Sequence, residues 1–205
     1  MSWTIPVPSE PSPAQKLFEK AVRDAAERNV LMFCSSPDEG NFNNLDYPSS
    51  VQRDKIFRIG AAHDYGTASM FVDKDVDFIF PGVQVNTSAT SVATGSSIGT
   101  ALAAGLAATI IYCFKISALA VKTQTQTVSD TENSRRMNRE TDLRKVSQQH
   151  ATMKAAFSRI GRVNDAKFIQ IWDELDPLVL QFDRPDNADR DVKVDMIMDL
   201  CKKLV

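Results

Sequence analysis

From Val83 to Phe114 the chain carries no charged side chain, and a fold has to accommodate that stretch before anything else. Its first half is rich in Ser, Thr and Asn and reads as a polar loop. Its second half, GSSIGTALAAGLAA from Gly95 to Ala108, runs through small and apolar residues and closes at Lys115. A helix that is apolar on every side belongs in a protein core or in a bilayer. Ser97 to Phe114 approaches a spanning length, but Ser96, Ser97, Gly99, Thr100, Gly105 and Thr109 dilute its hydrophobicity. The expectation is therefore an interior helix that starts near Ser97 and enters no membrane.

The elements around it follow from shorter patterns. Ser12-Pro13-Ala14-Gln15 combines an N-cap serine, a first-turn proline and a capping-box glutamine, and Leu17, Phe18, Ala21, Val22 and Ala25 repeat at helical spacing. This predicts a helix over 13–28. The run VLMFC, Val30 to Cys34, is too short for a helix and suits a strand covered on both faces. With Ser2 to Ile5 as a preceding strand, the order strand, helix, strand implies a right-handed crossover and a parallel sheet. SSPDEGNFNNLDYPSS is dense in turn formers and reads as a loop. IFRIGAA (Ile56 to Ala62) and VDFIF (Val76 to Phe80) are the next strands, the second ended by Pro81-Gly82.

From Lys122 to His150 the chain is polar and charge-rich and reads as a linker or exposed helix. ATMKAAFSRIG, KFIQIWDEL and VKVDMIMDLCKKLV then regain amphipathic order, with Phe168, Ile171, Trp172 and Leu175 on one face of the second. The expected organisation is a sheet domain over 1–121, a polar segment over 122–150 and a helical extension over 151–205, with Trp172 docking on the sheet domain.

Composition removes several classes of function. A formal net charge of −2 over 205 residues gives no reason to expect nucleic acid as a partner. Three cysteines, Cys34, Cys113 and Cys201, sit far apart in apolar company and suit reduced, packed thiols, which favours an intracellular setting. Two histidines, His63 and His150, and no CxxC pair give no metal-ligand spacing, so no metal and no cofactor is expected. The N-terminal MSWTIPVPSEPSPAQ has prolines and glutamate where a secretory leader needs a basic start and an apolar run.

The serines at the mouth of the apolar helix are the chemically suggestive feature. A nucleophilic serine needs an exposed oxygen and backbone N–H groups for the oxyanion that forms on attack, and the first turn of a helix supplies unpaired N–H groups. Gly95 lets a substrate approach the backbone. The simpler reading is that Ser96 or Ser97 merely N-caps a core helix. A phosphate-cradling loop is a further alternative, although neither GxxxxGK[ST] nor GxGxxG is present.

Gly95 to Ala108 resembles the subtilisin-like motif G-T-S-M-A-T-P-H-V-A-G-L-A-A, with Ser97 on the nucleophile. Met1-Ser2-Trp3 is similar to the family's N-M-S strand, and VLMFCSSPDEG to its A-A-G-N-E-G segment. Tyr47-Pro48-Ser49 is similar to Y-P-S, Ile59-Gly60-Ala61 to V-G-A, and Phe80-Pro81-Gly82-Val83 to A-P-G-V. The wording M-F-C-S is closest to the fungal branch. The resemblance covers residues 1 to about 120 and implies a partial subtilisin-like α/β fold, a parallel sheet flanked by helices, from the C-terminal part of a serine endopeptidase domain. Its substrate would be a polypeptide.

The departures carry equal weight. Asp38 falls where the family has its oxyanion-hole asparagine, and Ala101, Leu102 and Gly99 replace Pro, His and Ala. In this family the triad runs Asp, His, Ser along the chain, and both earlier members would precede Met1. His63-Asp64 falls in a loop outside the general-base position, and His150 falls in the polar stretch. The chain alone is thus expected to hydrolyse little, and a non-catalytic binding or regulatory relative is the competing reading. Unpaired strand edges imply self-association.

Overall fold

Ser12 starts the first helix, α1 (Pro13–Glu27), as its residue type dictates. Ser12 Oγ accepts from the Gln15 N–H at 3.2 Å, and the Gln15 side chain accepts from the Ser12 N–H at 3.3 Å. Pro13 takes the first helical position, where its missing N–H costs nothing. The computed structural model describes residues 1–10, 12–39, 46–124, 149–160, 167–184 and 189–204.

The apolar runs assemble a parallel sheet of β2 (Met32–Ser35), β4 (Ile56–Ala62) and β5 (Phe78–Pro81), in the order β2-β4-β5. β4 is buried along its whole length, as a central strand covered on both faces must be. On one face Met32, Cys34 and Ile56 pack with Val22, Phe18, Ala25 and Ala26 of α1. On the other, the rings of Phe33 and Phe57 stack at 5.0 Å and those of Phe57 and Phe78 meet at 6.2 Å.

Two departures from the sequence expectation concern strand pairing. The N-terminal strand is short, β1 (Ile5–Pro6), and it does not join the parallel sheet. It pairs antiparallel with β3 (Asp46–Tyr47), which lies in the segment read as a loop. The physical reason is the proline content: Pro6 has no N–H to give a ladder, and proline is confined to sheet edges. The second departure is Phe168. Of the segment KFIQIWDEL, expected to be helical, the part from Trp172 is helical, but 167–169 instead run beside β5, with Ile79 N–H donating to Lys167 O at 2.9 Å and Ile169 N–H to Ile79 O at 3.2 Å. Phe168 and Ile169 are fully buried.

After β5 a small hairpin, β6 (Val85–Asn86) with β7 (Val92–Ala93), precedes the long helix α2 (Ser96–Gln124). Among the described residues three more helices follow: α3 (His150–Arg159), α4 (Trp172–Phe182) and α5 (Arg190–Leu204). Most of the polar stretch, 125–148, lies outside the described residues.

The chain forms two compact units. The first comprises Met1–Gly105 with Arg162–Gln170, and the second Leu106–Gly161 with Ile171–Val205. In the second, Arg159 donates to Leu204 O at 2.9 Å, and Ser117 Oγ lies 3.3 Å from Cys201 Sγ. α2 is not the wholly interior helix its composition implied. Ala103, Leu106, Ala107, Ile110, Phe114 and Ala118 are buried, whereas Leu102, Tyr112 and Leu119 are exposed. By length and composition alone Ser96–Ala120, with a mean hydropathy of 1.8, could cross a membrane.

Candidate functional site

The two serines of the Gly95-Ser96-Ser97 turn have separate fates. Ser96 Oγ is sealed in the core and accepts the Ala61 N–H of β4 at 3.0 Å. The Thr100 hydroxyl, one turn along, donates to Ser96 O at 2.8 Å. Ser97 is half-buried, and its Oγ has no hydrogen-bond partner among the described residues. Neither oxygen caps its own helix, so the simple N-cap reading does not describe this turn. The Ser96 N–H is satisfied from elsewhere, by Asp38 Oδ2 at 2.9 Å.

Glycine is required where the turn meets the sheet. Gly95 has φ +151°, and a Cβ built on it would lie 3.1 Å from Asp38 Oδ2, 3.3 Å from Ser97 Oγ and 3.9 Å from Ser97 N. Its N–H donates to Gly82 O at 2.7 Å, while the Gly82 N–H donates to Ala62 O at 2.9 Å. A Cβ on Gly82 would come within 2.8 Å of the Ala61 Cβ and 2.9 Å of Gly95 O. β4, the end of β5 and the start of α2 are thereby laced together at backbone distance. Gly95→Ala is expected to cost about 1–3 kcal/mol through backbone strain, read from chemical denaturation, and to push Asp38 and Ser97 apart.

The histidines do not join this site. His63 follows β4 in a tight loop, its N–H donating to Thr67 O at 2.9 Å, and its ring stacks on Tyr65 at 5.1 Å. No hydrogen bond links it to Ser97 among the described residues. His150 opens α3 in the second unit. Among the described residues no group of three or more His, Cys, Asp or Glu side chains could hold a metal ion. All three cysteines are thiols, and burial pushes Cys34 and Cys201 up to about 11.

No protein-family model and no curated protein matches the chain. Among solved structures it aligns with a mutant of the protease domain of PatA, a subtilisin-like protease, with a TM-score of 0.52 and 16% identity. The alignment covers 89% of this chain and 59% of that one. The fold is subtilisin-like. At this identity the likeness is one of fold, and the chain spans 59% of the length of the domain it matches.

On this subtilisin-like fold the glycine-serine turn sits where α2 leaves the C-terminal end of the parallel sheet, the end at which open α/β sheets place ligands. The same sheet also holds a buried charge. Arg58 is a lone cation inside the fully buried β4, and its Nη2 reaches Asp46 Oδ2 at 3.2 Å and Asp73 Oδ2 at 3.1 Å. Its Nη1 lies 3.4 Å from Asp75 Oδ2, and the Arg58 backbone N–H donates to Asp77 Oδ2 at 3.0 Å. Arg58 Nε is buried and meets no acceptor among the described residues. Burial holds the Asp46 carboxyl above its usual range, against the pull of Arg58. The signal was present in IFRIGAA: a charge inside an otherwise apolar strand demands acidic partners.

Proposed function

We propose that this chain is the serine-bearing part of a subtilisin-like serine endopeptidase of the fungal type, corresponding to the C-terminal part of the catalytic domain, with Ser97 as nucleophile. The observation that carries the reading is the half-buried Ser97 Oγ, without a hydrogen-bond partner among the described residues, at the positive end of α2 on a subtilisin-like fold. In the reaction Ser97 Oγ bonds to the scissile carbonyl carbon and gives its proton to a base, and the carbonyl electrons move onto oxygen. Collapse of that adduct expels the protonated amine and leaves an acyl-enzyme, which water then hydrolyses. The Ser97 N–H is the backbone donor for the oxyanion.

The base and its carboxylate partner come, in this reading, from polypeptide outside residues 1–205. Without them turnover falls by about a millionfold in enzymes of this type. Free imidazole can stand in for the base. The test is hydrolysis of p-nitrophenyl acetate by the chain in imidazole, compared with imidazole alone. A protein-dependent rate that disappears in Ser97→Ala supports the nucleophile; a rate that is unchanged in Ser97→Ala, or no protein-dependent rate in either the wild type or Asp38→Asn, contradicts it.

A second reading, a non-catalytic relative that binds polypeptide, is favoured by one observation. Asp38 places a carboxylate on the Ser96 N–H, beside the hydroxyl of Ser97. Absence of any Ser97-dependent rate would leave this reading standing.

A further inference from the structure

Asp38 and Ser97 converge on Gly95: a Cβ added there would lie 3.1 Å from Asp38 Oδ2, 3.3 Å from Ser97 Oγ and 3.9 Å from Ser97 N. With Ser97 as nucleophile, the oxyanion forms one carbon away from Ser97 Oγ and calls on the Ser97 N–H, so it forms beside these groups. There it meets a negative charge already seated on the first N–H of α2, since Asp38 Oδ2 accepts from Ser96 at 2.9 Å. The positive end of a helix favours an anion, and this helix has been given one from its own chain.

We propose that Asp38 is a built-in brake on the serine turn: its carboxylate fills the anion-favouring end of α2 and excludes a second anion from the Ser97 N–H. The inference rests on the reading of Ser97 as nucleophile only for its catalytic consequence; the exclusion of anions is a property of the turn itself. Capping and braking are separable by chemistry. An asparagine at position 38 keeps an oxygen to accept the Ser96 N–H and turns an amide donor toward the oxyanion in place of a charge. Alanine removes both. Asp38 is exposed, on a loop far from α2 in sequence, so its carboxylate can be replaced or turned aside without disturbing the core.

The test compares the full-length wild type with Asp38→Asn in two measurements. In the first, inorganic phosphate is titrated while the Ser96 and Ser97 amide resonances are followed by NMR. Asp38→Asn is expected to show a saturable shift of the Ser97 amide, and wild type none. In the second, phosphonylation by a fluorophosphonate in imidazole is expected to be about 100-fold faster in Asp38→Asn, the worth of one oxyanion donor gained. A Ser97 amide as indifferent to phosphate in Asp38→Asn as in wild type overturns the brake, whatever the labelling shows. Phosphate binding gained without faster labelling sustains the brake and counts against Ser97 as nucleophile.

Discussion

Arg58→Ala is expected to lose about 3–5 kcal/mol of stability, because it leaves a buried carboxylate without its cation. A loss of that size is a large share of what holds a domain folded. The carboxylate is that of Asp46, whose side chain, like that of Arg58, is 6% exposed. Asp75, at 70% exposed, stays solvated when its partner goes and contributes little to the loss. Asp46 belongs to β3, and Asp73 to Asp77 form the approach to β5, so the guanidinium ties both to the central strand.

Two controls separate charge from packing. Adding Asp46→Asn to Arg58→Ala removes the orphaned charge and is expected to recover part of the loss. The second control is pH. Burial already raises the Asp46 carboxyl, and removing Arg58 raises it further. A carboxyl raised in the folded state loses stability as pH rises through its folded value, so the deficit of Arg58→Ala is greatest at neutral pH. It narrows as the solution is acidified and Asp46 takes up its proton. Urea unfolding at several pH values reads both effects; a deficit that is flat with pH would show that packing, not charge, is what Arg58 supplies.

The adjacent serines are expected to respond in opposite ways. Ser96→Ala leaves the buried Ala61 N–H without its acceptor, a loss of about 1–3 kcal/mol. Ser97→Ala removes a partly exposed hydroxyl that makes no hydrogen bond among the described residues, and its stability should stay within about 0.5 kcal/mol of wild type. Reactivity runs the other way, with Ser97→Ala losing the imidazole-dependent rate and Ser96→Ala keeping it at temperatures where it is folded. Denaturation midpoints and ester turnover, measured on both variants, check this inversion.

Local signals in the sequence were legible and long-range ones were not. The Ser12-Pro13-Gln15 cap places the start of α1, the apolar runs at Met32–Ser35, Ile56–Ala62 and Phe78–Pro81 form a parallel sheet, and α2 begins at Ser96 beside the residue expected. Each rests on neighbours within a turn or two. The pairing of β1 with β3 was missed because a strand's partner is set by residues far along the chain, and prolines at the N-terminus keep β1 from the main sheet. Phe168 reads as helical from sequence because a short apolar run looks alike in a buried helix and a buried strand.

The site shows the same division. The glycine beside two serines could be read locally, but its wiring is non-local: Ser96 to Ala61, Gly95 to Gly82, Asp38 to Ser96. The position of Asp38 was accessible only through resemblance to the subtilisin-like motif, and the direction its carboxylate takes, onto the Ser96 N–H, only through structure. The acids around Arg58 are spread from Asp46 to Asp77 and meet only when the sheet closes.

The most direct measurement of the central claim is peptide mapping by mass spectrometry after the chain has reacted with a fluorophosphonate in the presence of imidazole. The expected result is a single phosphonyl group on the Ser97 oxygen, with Ser96 unmodified. An adduct on Ser96 or spread over surface residues, or no adduct on either the wild type or Asp38→Asn when both are shown to be folded, would contradict it.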